Sequence, residues 1–122
     1  MPVPTHIDTM PYFCLRRRRP WVMVAVRIAP VAEFAGPGGD VDLFGLFFTD
    51  PGQHHEHRLF VDHAHPHCRS NVDYKGALQG AGAHSVWIGD VLIRSQAIGT
   101  ETYEINRNLL LTDGPRADSV PN

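Results

Sequence analysis

Asn106-Arg107-Asn108-Leu109-Leu110-Leu111-Thr112-Asp113-Gly114-Pro115-Arg116-Ala117-Asp118-Ser119 is the stretch on which the fold turns. Three consecutive leucines stand between a polar run and Asp-Gly-Pro, which predicts a short buried strand stopped by a tight turn before extended chain resumes. Read this way, the stretch is one rung of a repetitive β structure. Only Val120, Pro121 and Asn122 come after it.

The same punctuation runs through the rest of the sequence. The 11 Gly and 10 Pro in 122 residues divide it into pieces too short for many helices, which favours an all-β protein. That length suits one domain burying roughly two-thirds of its unfolded surface. Hydrophobic residues at 43% and charged residues at 20% match a globular chain and exclude disordered and membrane classes. A net charge of -2 supplies no global field to recruit nucleic acid or an acidic membrane. Cys14 and Cys68 lie far apart and neither belongs to a CxxC pair, so neither a disulfide framework nor a zinc ribbon is expected and a reducing compartment is the default.

Residues 1–23 differ in character from residues 24–122 and are expected to form a disordered or non-native tail. Arg16 to Arg19 make the one basic block, without interleaved aromatics to present it to phosphate. A secretory signal is not expected, because the apolar run from Trp21 is broken at Arg27. From Val24 onward, short strands alternate with turns: Val24 to Ile28, Val31 to Phe34, a turn over 35–40, and Val41 to Thr49. The last is apolar on both faces, with Val41, Leu43, Gly45 and Phe47 on one and Phe44, Leu46 and Phe48 on the other, as for a central strand. Leu59-Phe60-Val61, residues 70–78, and Val86-Trp87-Ile88 followed by Val91-Leu92-Ile93 continue the series, with Gly89-Asp90 as a two-residue turn. Strands of about four to six residues at this spacing fit a sandwich, a jelly roll or a parallel β-solenoid.

The chemistry-bearing side chains concentrate in residues 53–68, with His54, His55, His57, His63, His65, His67 and Cys68. Imidazole and thiolate suit zinc, copper or iron, and His63, His65 and Cys68 are the candidate metal ligands. His55-Glu56-His57 also offers the His-x-His of a cupin, the basis of an alternative reading as a small metal-binding β protein. No glutamate follows it where a cupin needs one, since Leu59, Phe60 and Val61 stand there. Surface and turn positions are the plainer account of these histidines. Arg69 beside Cys68 could lower the thiol pKa, but no elbow or helix N-terminus is present to complete a nucleophilic site. Gly36-Pro37-Gly38-Gly39 lacks the Lys-Ser or Lys-Thr of a phosphate loop, and Asn106 and Asn108 are placed to stack amides between coils.

Seven segments, residues 34–40, 52–58, 61–63, 68–71, 74–80, 86–94 and 106–122, together resemble the SufB/SufD family of the bacterial Suf iron-sulfur cluster assembly system, in its actinobacterial SufD form. They include Phe34-Ala35-Gly36-Pro37-Gly38-Gly39-Asp40 and Val86-Trp87-Ile88-Gly89-Asp90-Val91-Leu92-Ile93-Arg94, and their shared order and spacing are more specific than any single motif. The resemblance implies a right-handed parallel β-helix over residues 24–122. It also implies a cytoplasmic, non-enzymatic scaffold that pairs with a SufB-like subunit and works with a SufC-like ATPase, the iron-sulfur cluster being handled by the complex. Nucleic acid and membrane are not among its expected partners. His63, Ser70 and Gly76 match recurrent family positions and are read as shaping the coil. The family continues with a strand, a cysteine and histidine implicated in cluster assembly, and helices that meet SufC. The chain is accordingly expected to be a SufD-like protein truncated at both ends, with no catalytic or cofactor-binding residue carried over.

Overall fold

The structure is a computed structural model that describes residues 5–8 and 24–122. Among these residues there is no helix. The chain winds as a β-solenoid of about three turns. Its strands are β1 (Thr5–Asp8), β2 (Val24–Ile28), β3 (Val31–Phe34), β4 (Asp40–Thr49), β5 (Gln53–His63), β6 (Arg69–Leu78), β7 (His84–Ile93), β8 (Glu101–Leu110) and β9 (Arg116–Pro121). Odd-numbered strands stack in the order β1-β3-β5-β7-β9, with β2 also on β5, and β4-β6-β8 form the second sheet. Every pairing is parallel except β1 with β3. Apart from β1, the tail expected over residues 1–23 lies outside the described residues.

Parallel stacking of successive coils excludes the sandwich, the jelly roll and the cupin, all of which are built from antiparallel pairs. Each coil instead lays one strand in each sheet and turns the alternate residues of both into a shared lumen. That lumen holds Phe34, Val41, Leu43, Phe47, Leu59, Val61, Val72, Tyr74, Leu78 and Trp87. A strand here needs only one buried side chain in two, so long polar-alternating runs qualify.

Three strands are accordingly longer than expected, β5 with 11 residues and β7 and β8 with 10 each, whereas β4 and β6 extend the expected 41–49 and 70–78 by one residue. Gly89-Asp90, expected to be a turn, lies inside β7. A Cβ at Gly89 would sit 2.4 Å from the Trp87 ring, so this glycine is a space for indole and not a bend. The same device operates between coils. Gly45 pairs with Tyr74 and Gly76 with Phe47, and an added Cβ at either would come within 2.2 Å of the partner ring. Replacing Gly76 by alanine should therefore cost about 1–3 kcal/mol by overpacking. Urea unfolding of the full chain measures it, and an unchanged midpoint would show that Phe47 does not fill that space.

Two further expectations are corrected. β4 is an outer strand of its sheet among the described residues, not a central one. Its second apolar face is exposed, with Phe44 72% and Leu46 81% accessible. Leu109, Leu110 and Leu111, read as a buried run, are 61%, 50% and 48% exposed, although their segment is one rung as expected. Triple leucine says nothing about facing when β8 lies at the edge of its sheet among the described residues, with no strand over its far side.

Corners are made by glycine and by one histidine. Pro51-Gly52 turns the chain with Gly52 at φ 72, and His67 is the one described non-glycine residue with positive φ, at 58. Corner backbones also bond from coil to coil: Gly38 N–H donates to Pro66 O and His67 N–H to Ile98 O.

Candidate functional site

β5 carries the histidines into two environments, because alternate residues of one strand face opposite sides. His55, His57 and His63 fall on the lumen side, together with Leu59 and Val61. His57 packs against the Phe47 ring with centroids 4.6 Å apart and meets Tyr74 edge-on, while His63 lies 4.7 Å from Phe34. Burial disfavours the imidazolium at all three. It lowers the His57 pKa to about 4, with a smaller contribution from His55, and pushes His55 and His63 down as well.

His63 Nε2 lies 2.8 Å from Ser70 Oγ, which in turn lies 2.9 Å from Thr102 Oγ1 on the next coil. A serine and an imidazole at that distance have the spacing of a nucleophile and its base. Here both are closed inside the lumen, His63 with 0% and Ser70 with 1% of their surfaces accessible. The contacts run within one coil and on to the next, and they present nothing to a substrate.

The candidate ligands His63, His65 and Cys68 are not assembled into one centre. Cys68 is buried with its Sγ directed at the carbonyls of Gly36 and Pro66, and His65 sits in the corner that separates it from His63. Among the described residues no group of three or more His, Cys, Asp or Glu side chains is arranged to hold a metal ion. Asp62, next to His63, accepts two hydrogen bonds from the Arg94 guanidinium, at 3.0 and 2.7 Å. That bond, more than simple charge, holds its carboxyl below the usual range.

The lumen of the last turn is polar. Asn106 and Asn108 do not stack on amides, as Tyr74 and Gly76 occupy the positions beneath them. They reach across to Ser119, with Nδ2–Oγ distances of 2.7 and 3.3 Å. Glu104 shares this space, and burial, reinforced by Asp90, raises its carboxyl pKa. Outside the solenoid, the smaller sheet displays Phe44 and Leu46 and a groove of about 410 Å3 bounded by Leu46, Ala77 and Leu109, with Lys75 and Arg107 alongside.

Comparison with known proteins places the chain in a family. Residues 23–122 match the SUF system FeS cluster assembly SufBD core domain. The chain belongs to the SufBD family. It is similar to the iron-sulfur cluster assembly SufBD family proteins of Mycobacterium bovis and Mycobacterium tuberculosis, at 64% identity over 103 residues, which is 80% of this chain and 26% of each relative. The Mycobacterium leprae protein of the same description is 62% identical over the same length. The chain thus spans about a quarter of the curated relatives it matches, 26% of their length. No solved structure matches it. Among the described residues of this SufBD core, no helix is long and apolar enough to cross a membrane.

One grouping is invisible in the sequence. His84, isolated there, lies beside His54 because β5 and β7 pair with an offset of 30 residues, and Asp118 on β9 lies against it. Only the register of the coils brings the three together.

Proposed function

We propose that this chain is the solenoid core of a SufD-type subunit and acts as a non-enzymatic scaffold in cytoplasmic iron-sulfur cluster assembly. Its direct partner is a SufB-like subunit, and a SufC-like ATPase completes the complex. The cluster is the cargo of that complex and not a resident cofactor of this chain. The observation that carries the reading is the match to the SufBD core domain over residues 23–122, the region that folds into stacked parallel coils.

The chemistry of the side chains favours a scaffold over an enzyme. The Ser70–His63 pair is enclosed, and His57 and His63 are spent on aromatic stacking and on a hydrogen bond inside the lumen. What the fold offers to partners is surface: strand edges that pair by main-chain hydrogen bonds, and the exposed apolar face of β4. The test is co-expression of the tagged full chain with SufB-like and SufC-like proteins from the same organism. Retention of the SufB-like subunit through gel filtration is the expected result. Elution of the chain free of both partners would reject the scaffold assignment.

A further inference from the structure

We propose that His54 and His84 form a two-imidazole site for a divalent transition-metal ion such as Zn2+, on the outer face of the larger sheet, with Asp118 as the positioning residue. His54 and His84 are register partners on β5 and β7, on the opposite side of the strands from the lumen residues His57 and Trp87. Their Nδ1 atoms face each other at 3.1 Å, and their rings meet edge-on with centroids 4.7 Å apart. His84 Nε2 lies 2.8 Å from Asp118 Oδ2, and the two side chains are 32% and 35% exposed.

These contacts decide the tautomers. A carboxylate can only accept, so His84 donates Nε2–H to Asp118, and in the neutral ring its Nδ1 lone pair then points at His54. His54 must answer with Nδ1–H. A single proton therefore lies between two ring nitrogens, and a metal ion can take its place once His54 carries its proton on Nε2. With metal–nitrogen bonds of about 2.0–2.1 Å, two adjacent ligand nitrogens stand roughly 2.9–3.4 Å apart, a range that contains the observed separation. On binding, His54 changes to its Nε2–H tautomer by proton exchange with solvent, with no net proton released, and both rings then present Nδ1 lone pairs to the ion.

The carboxylate-histidine arrangement at Asp118 is the one that fixes ring orientation and increases ligand basicity in metal sites. Asp118 is itself held by Arg116, with Nε–Oδ1 at 3.1 Å, so the arrangement is set before any ion arrives. Glu56, two residues along β5, is engaged by Arg58 and Arg27 and is not available as a third ligand. Water completes the coordination shell, and two imidazoles favour Zn2+, Cu2+ or Ni2+ over Mg2+ or Ca2+.

Titration of the full chain with Zn2+ by isothermal calorimetry near neutral pH tests the site. One equivalent should bind. His54→Gln and His84→Gln should each weaken binding at least about tenfold, since one protein ligand then remains. His65→Gln and His67→Gln should leave it unchanged. Asp118→Asn should lower affinity about tenfold or more in a chain that remains folded at the temperature of the titration, which separates positioning from loss of the fold. Circular dichroism of each variant establishes that the coil is intact. Absence of Zn2+ binding, or binding that survives both the His54 and His84 replacements, overturns the site; unchanged affinity in Asp118→Asn removes the role given to Asp118.

Discussion

Replacing Trp87 with alanine should destabilise the chain by about 3–5 kcal/mol, the range for emptying a large aromatic from a closed core. Trp87 is 2% exposed, its ring reaches over Gly89, and Tyr74 lies beside it with centroids 6.0 Å apart. No neighbour can fill the vacated volume, because the position on its own strand that would have to move in is a glycine. One effect opposes the loss. The indole Nε1 is buried without a hydrogen-bond partner, and deleting it removes a desolvation penalty of about 1–3 kcal/mol. The net loss should therefore sit at the lower end of the range, and Trp87→Phe, which also deletes that donor, should cost far less than Trp87→Ala. Against a total stability of about 5–15 kcal/mol, a loss of about 3 kcal/mol removes roughly a fifth to three-fifths of it. Urea unfolding followed by circular dichroism measures both variants; equal losses would mean that volume does not govern this site.

Acidification should produce the second large effect, and the lumen histidines set its window. The unfolded chain protonates His57 near its ordinary value of 6.5, whereas the folded chain holds it neutral down to about 4. The unfolded state therefore binds more protons between those values. Stability is complete above pH 6.5 and falls as pH drops toward 4, by about 3 kcal/mol for this residue alone. His55 and His63 are shifted in the same direction by burial and add to the loss. Asp62 and Asp118, whose carboxyls are held low by Arg94 and by His84 with Arg116, lose their contributions only at still lower pH. Glu104 works the other way, since its raised pKa means that protonation relieves a buried charge. Melting temperatures of the parent and His57→Phe between about pH 7.5 and 4.5 provide the check. Phenylalanine keeps the packing against Phe47 and Tyr74, so the variant should show a shallower decline. An equally steep one would show that His57 does not drive it.

How far the fold can be read from the sequence depends on what each residue type reports. β-branched and apolar alternation locates β2, β3 and β4 well, and the turn at Gly38-Gly39 stands where the glycines put it. The parallel β-helix comes from the family resemblance, since alternation is identical in a sandwich and in a solenoid. The length of β7 is understated by the sequence because Gly89 looks like a break, whereas it acts, as Gly45 and Gly76 do, as a socket for a ring on the adjacent coil or the same strand. The faces of Leu109 and Phe44 are not legible, because exposure depends on which strands have neighbours. Likewise the histidine cluster disperses: neighbours in sequence alternate between lumen and outer face, and the companion of His54 is 30 residues away at His84.

The corner lengths carry a consequence of their own. Asp40 stacks on Arg69, 29 residues on, while Arg69 stacks on Glu101, 32 residues on. The added residues fall in the corners: residues 50–52 link β4 to β5, residues 79–83 link β6 to β7, and residues 94–100 replace the shorter 64–68 link. Strand registry is thus insulated from changes in chain length. Insertions and deletions at the corners alter the sequence period without altering the strand pairing, so the coils of residues 40–110 repeat in geometry with offsets of 29 and 32 residues and not one fixed period. Within residues 94–100, the exposed Ser95–Gln96 step is where a reporter peptide would disturb the coil-to-coil contacts of Arg94, Ala97 and Ile98 least.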